Sequence, residues 1–217
     1  FMGIGILSGL AAIIYWWLYR DMPMMAGDTH TYENFFVTRT PGYPLFMLLF
    51  KTIFGHYDAI PCFQLIFMFS GIAYLTAQFY ALSRSWCLSL GLWILLAANV
   101  ELVKYAFVLL TESLAMTCLL FSLGFLCRFV STRLIGNLGM TAGFLGLAIL
   151  IRPAAYGWVP GLLVAGIGVK SLIPTAPYKK ILSVLVLPLL GALAFGATFN
   201  YYKHEFFNTE SMLGFML

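Results

Sequence analysis

The sequence predicts an all-α integral membrane protein of about seven transmembrane helices, with interfacial helices in the loop after the first span. Three observations predict it. The 217 residues are 62% hydrophobic and only 9% charged, against roughly 25% charged residues in a soluble domain, and the mean hydropathy is +0.93. Apolar runs near the ~20 residues that cross a bilayer recur along the whole length. All the acidic residues, finally, fall in one set of alternate connections, and the other set holds only basic ones.

The spans are expected at about 1–19, 60–82, 86–107, 111–129, 134–151, 154–172 and 181–200. The first lacks the basic start and small-residue cleavage site of a signal peptide, and Tyr15, Trp16, Trp17 and Tyr19 close it as an interfacial anchor would. The stretch "GDTHTYENFFVTRTPGYPLF" (27–46) then gathers Asp28, His30, Glu33 and Arg39 ahead of two prolines. If it is helical, Asp28, Tyr32 and Phe35 share one face. "PGYPLFMLLFKTIFG" (41–55) is apolar but short for a span, which predicts a helix lying in the interface or re-entering.

With seven spans, one set of connections holds Arg84, Arg128, Arg133, Lys170, Lys179 and Lys180 and no acid, while all eight acids fall on the other side. The positive-inside rule places the basic set in the cytoplasm and the 27–46 stretch outside. Residues 1–217 read as a single transmembrane domain without repeats. The connections leave no room for a nucleotide-binding domain and carry no GxxxxGK[ST] loop, which argues against an ATP-driven pump. Basic residues are dispersed rather than clustered, so nucleic acid is not an expected partner; membrane lipid is. Cys62, Cys87, Cys118 and Cys127 stand singly in apolar segments, with neither metal-ligand spacing nor a disulfide framework.

Candidate functional residues collect on the predicted outer face. Asp28, in a partly dry cleft, suits a general base acting on a hydroxyl. The planar fork of Arg39 suits a phosphate. Glu112 in "LLTESL" opens a span, where it serves equally as a helix-dipole cap or a functional carboxylate. Arg152 in "LIRPAA" runs against the charge bias and so calls for a phosphate or carboxylate partner. Lys104 suits a phosphate, although snorkelling explains it as well. Glu33, Tyr32 and Tyr43 are secondary candidates from the same outer region. Asp28, His30 and Glu33 also spell D-x-H-x-x-E, a weak metal pattern that matches no strong zinc motif.

These pieces in this order resemble the GT-C glycosyltransferases, most nearly the bacterial relatives of protein mannosyltransferases and of lipid A aminoarabinose transferases. The resemblance rests on Asp28 in the first outer loop, "RTPGYPLF", "KTIFG", "TES" and "LIRPAA", and runs to about residue 160. It implies a seven-span module in a bacterial inner membrane, facing the periplasm or exterior, and transfer of a sugar from a polyprenyl-phosphate carrier to a glycan, lipid or protein acceptor. It implies Asp28 as base, and Arg39 and Arg152 as groups meeting the carrier phosphate; His30 and Glu33 match nothing in the pattern. Full-length members continue with further spans, so the chain, which starts at Phe1, is expected to be the N-terminal module of a longer protein. Two cationic side chains can stabilise a leaving phosphate electrostatically, so no cofactor is obligatory, and a divalent cation is compatible. The alternatives are a non-catalytic or truncated membrane subunit and a lipid or sugar transporter. A transporter would be expected to hold ionisable residues or broken helices near mid-membrane.

Overall fold

The computed structural model describes residues 2–21, 25–27, 29–36, 39–162, 164, 168 and 177–205. The described residues are almost wholly helical, without a strand. In order they form α1 (Met2–Tyr19), α2 (Thr29–Glu33), α3 (Gly42–Phe54), α4 (Ile60–Ser83), α5 (Trp86–Ala97), α6 (Val100–Lys104), α7 (Thr111–Thr132), α8 (Ile135–Ile151) and α9 (Tyr178–His204), with 3-10 turns at Tyr105–Phe107 and Pro153–Trp158. This is a multi-pass membrane architecture. Helices α1, α4, α7 and α9 are each long and apolar enough to cross a bilayer.

The expected seven spans are met in part. The stretch 86–107, expected as one span, bends by 53° between α5 and α6. Asn99 explains the bend: its side chain accepts from the Leu102 N–H at 3.1 Å and so starts a new helix. Counting that pair once gives five crossing candidates among the described residues. Helix α8 has 17 residues, the short end of the crossing range. The expected span at 154–172 opens instead within the 3-10 turn Pro153–Trp158, and eight of its nineteen residues, Lys170 among them, lie outside the described residues.

Helices α4 and α7 form the centre. They run parallel and touch through small residues: a Cβ on Gly71 would meet Leu120 at 3.2 Å, and one on Gly124 would meet the Tyr74 ring at 2.6 Å. Without a hydrophobic drive between helices in lipid, such small-residue seams let backbones approach and gain dispersion contact. On one side, α1 packs on α4 and α5, with the Tyr15 hydroxyl donating to the Ala97 carbonyl at 3.0 Å and the Trp93 indole donating to Ser8 at 2.9 Å. On the other, α8 runs antiparallel to α7, and buried Ser122 donates to the Thr141 carbonyl at 2.8 Å. Helix α9 lies parallel to α8, with Gly139 against Val184 and Gly146 against Ala192 and the Pro188 carbonyl.

This path places every described acid at one end, called here the acidic end, and Arg84, Arg128, Arg133, Lys179 and Lys180 at the opposite, basic end. The short helix expected at 41–55 is α3. It buries Tyr43, Met47 and Phe50, spaced i, i+4, i+7, and leaves Leu48, Leu49 and Ile53 exposed. Gly55, at φ 76°, ends it in the left-handed region.

Candidate functional site

Two buried threonines hang the 27–46 loop across the acidic end. The Thr29 hydroxyl donates to the Leu109 carbonyl at 3.3 Å, just before α7, and the Thr40 hydroxyl donates to the Ile151 carbonyl at 3.0 Å, the last residue of α8. Between them, helix α2 stops at Glu33. Phe35 sits at φ 51° and stacks on Phe199 of α9. The expected face shared by Tyr32 and Phe35 therefore does not form: a bulky residue in the left-handed region ends the helix and turns its ring away from Tyr32. Asp28 lies outside the described residues.

Tyr32 packs inward. The Arg39 guanidinium lies 4.7 Å from its ring centre, and its edge meets Tyr43 at 5.2 Å. Arg39 Nε also donates to Thr31 at 2.9 Å. Tyr43 is fully buried. With the Gln64 amide turned to satisfy both its ends, Tyr43 donates to Gln64 at 2.9 Å, and Gln64 donates to the Ala106 and Val108 carbonyls. Burial pushes the Tyr43 hydroxyl above its ordinary range, with the neighbouring Tyr32 and Glu112 adding to the effect. Tyr43 is thus a fixed donor that ties the loop to the core.

Arg152 and Glu112 meet. They stand forty residues apart in sequence, but antiparallel α7 and α8 bring the first turn of one to the end of the other. Arg152 Nη1 pairs with Glu112 Oε1, and the Thr111 hydroxyl donates to Glu112 Oε2 at 3.2 Å. Both partners are part-exposed, at 39% and 29% of their side chains. The carboxylate partner that Arg152 calls for is thus supplied within the chain. The pair borders a cavity of about 370 Å³ lined otherwise by Asn99, Glu101, Leu102, Tyr105, Ala115, Met116, Leu119, Ala154, Ala155 and Trp158. A second cavity of about 190 Å³ shares Leu119 and Trp158 with it and continues along α7 past Ser122, Leu123 and Leu126. Residues 112, 115, 116, 119, 122, 123 and 126 follow one helical face. An ion pair at the head of a mostly apolar channel can receive an anionic group that carries a hydrocarbon chain.

The other candidates are placed elsewhere. Glu33 accepts from Lys51 at 3.0 Å and from the Tyr57 hydroxyl at 3.1 Å, clasping α2 to α3 outside the cavity. These bonds, that of Lys51 foremost, hold its carboxyl below the ordinary range. Lys104 pairs with Glu101 at 3.0 Å, and Arg39 and Tyr32 do not line the cavity. The His30 ring donates from Nδ1 to the Gly27 carbonyl at 2.8 Å. Among the described residues no three metal-binding side chains converge; the D-x-H-x-x-E pattern includes Asp28 and lies partly outside them. Asn99, Leu119 and Trp158 had no signal in the sequence beyond their placement on apolar helices.

Compared with family models, curated proteins and solved structures, the chain gives no match.

Proposed function

We propose that this protein is a seven-span membrane glycosyltransferase module of GT-C type. In this reading it moves a sugar from a polyprenyl-phosphate donor to a hydroxyl acceptor at the extracytoplasmic face of a bacterial inner membrane. The observation that carries the reading is the Arg152–Glu112 pair at the head of the channel along α7. The carrier phosphate would take over Arg152 from Glu112, with the isoprenoid in the apolar channel. Asp28 would remove the acceptor's proton as its oxygen attacks the anomeric carbon. The bond from that carbon to the phosphate oxygen breaks, and the carrier leaves as its monophosphate with Arg152 offsetting its charge; Arg39, outside the cavity, would have to leave Thr31 and Tyr32 to join it. The two threonine anchors support this, since they tie the loop bearing Asp28 and Arg39 to the residues flanking Glu112 and Arg152.

The test measures polyprenyl-phosphate-sugar binding and transfer in nanodiscs for Arg152→Lys and Arg152→Gln. Lysine keeps the charge and loses the fork, so donor affinity should fall roughly ten- to a hundredfold, and more with glutamine. Wild-type donor affinity in folded Arg152→Gln removes Arg152 from the site. Donor binding without transfer to any acceptor favours a non-catalytic subunit.

A further inference from the structure

Described cations at the two ends of the bundle differ in what they touch. At the acidic end all are engaged within the chain: Arg20 over Trp17, Arg39 with Thr31, Lys51 with Glu33, Lys104 with Glu101, Arg152 with Glu112, and Lys203 over Phe35. At the basic end Arg84, Arg128, Arg133, Lys179 and Lys180 are all exposed, and none forms an ion pair among the described residues.

Two of the five occupy unusual backbone positions. Arg84 ends α4 at φ 56° and Arg133 ends α7 at φ 58°, the left-handed terminating conformation that glycine adopts without strain. Orientation by charge needs basic residues somewhere in these connections; it does not need them where an L side chain is strained. Because α4 and α7 are parallel and in contact, both termini emerge side by side. Glu205 ends α9 in the same conformation at the acidic end, so the sign of the charge follows the end. Aromatic and apolar side chains mark the depth. Trp86, edge-on to Tyr80 at 5.8 Å, is exposed beside Arg84, Leu134 is exposed beside Arg133, and Tyr178 beside Lys179. Such aromatics sit at the headgroup level of a bilayer.

We infer that the basic end is a docking surface for anionic phospholipid headgroups, with Arg84 and Arg133 as its centre and Arg128, Lys179 and Lys180 around them. The exposed cations provide charge complementarity, and the flanking rings hold them at the depth of the lipid phosphates. The surface is at the far end from the Arg152–Glu112 pair and stands independently of the proposed transfer.

The experiment titrates phosphatidylglycerol into zwitterionic micelles holding the full chain and follows the thermal unfolding midpoint. For wild type the midpoint should rise with phosphatidylglycerol, less so at high salt. R84G/R133G relieves the backbone, so its midpoint without phosphatidylglycerol should equal or exceed wild type. Its response should need roughly 30-fold more anionic lipid, the effect of two surface cations. Soluble glycerol phosphate at equal concentration should leave the midpoint unchanged. A wild type indifferent to phosphatidylglycerol, an R84G/R133G titration matching wild type, or an equal response to glycerol phosphate overturns the inference. If R84G/R133G does not fold, R84Q/R133Q against R84K/R133K decides: only the lysine pair should titrate as wild type does, and identical curves overturn the inference.

Discussion

Adding one methyl group at Gly42 should pry the loop from the site. A Cβ there would stand 2.5 Å from the Leu150 carbonyl oxygen and 2.7 Å from its carbon, where ordinary contact begins near 3.4 Å. Both atoms are backbone, so no side chain can swing aside and the start of α3 must retreat from α8 by about 1 Å. Overpacking of this kind costs about 1–3 kcal/mol. The same shift stretches the buried Thr40–Ile151 hydrogen bond, worth about 1 kcal/mol, while the better helix propensity of alanine returns up to about 1 kcal/mol. The net expectation for Gly42→Ala is a loss of about 1–3 kcal/mol. Arg39 lies just ahead of the displaced start of α3, and Arg152 directly follows the residues that the new methyl group presses on; a misplacement near 1 Å can cost about a hundredfold in rate. Gly91→Ala is the control, since nothing lies within 4 Å of a Cβ there; it should leave stability equal or slightly raised. The assay is thermal unfolding together with donor-lipid affinity and transfer, all in the same detergent. A Gly42→Ala protein as stable and as active as Gly91→Ala refutes the reasoning.

Three further outcomes are expected. Asp28→Asn should retain donor binding and lose about 10²–10⁴-fold in transfer; more than half of wild-type activity would place the base elsewhere. Glu33 has a lowered carboxyl pKa, so its clasp is complete above the unfolded value of about 4.3 and is lost as pH falls through the lower folded value. Protection of the amides at 29–36, taken relative to their intrinsic exchange at each pH, should therefore fall below about pH 4 in wild type, and in Glu33→Gln it should lack that step; because the pair is largely exposed, the effect is small. In a background without native cysteines, Asp58→Cys should react with an impermeant thiol reagent on intact cells and Ser131→Cys should not; equal labelling would refute the proposed orientation.

The span ends were legible because apolar runs stop at residues that cannot continue them. Ser85, for instance, caps α5 by accepting from the Leu88 N–H, and Pro177 precedes α9. The break at Asn99 was not legible, since one amide inside an apolar run gives no periodic signal and acts only through its cap. The end of α2 at Glu33 was missed for a similar reason, because the turn at Phe35 depends on stacking with Phe199, far along the chain. Arg152 and Glu112 were each picked out by chemistry, Arg152 with its need for a partner. Their pairing depends on the antiparallel register of α7 and α8, which no local pattern encodes. Glu33 and Lys104 were equally conspicuous, and only geometry shows that neighbouring charges occupy them.

The bend between α5 and α6 has a consequence for solvent. Twelve residues of α5 rise about 18 Å from the basic end, so the helix stops well short of the ~30 Å that hydrocarbon occupies. Backbone groups released there cannot be left to acyl chains. Tyr15 satisfies the Ala97 carbonyl, the Asn99 side chain satisfies the Leu102 N–H, and the Asn99 carbonyl accepts from the Val103 N–H at 3.1 Å. Asn99 and Glu101 open directly onto the larger cavity. Polar side chains therefore flank the break, and a polar molecule arriving from the acidic end meets Asn99, Glu101 and Arg152 along one cavity.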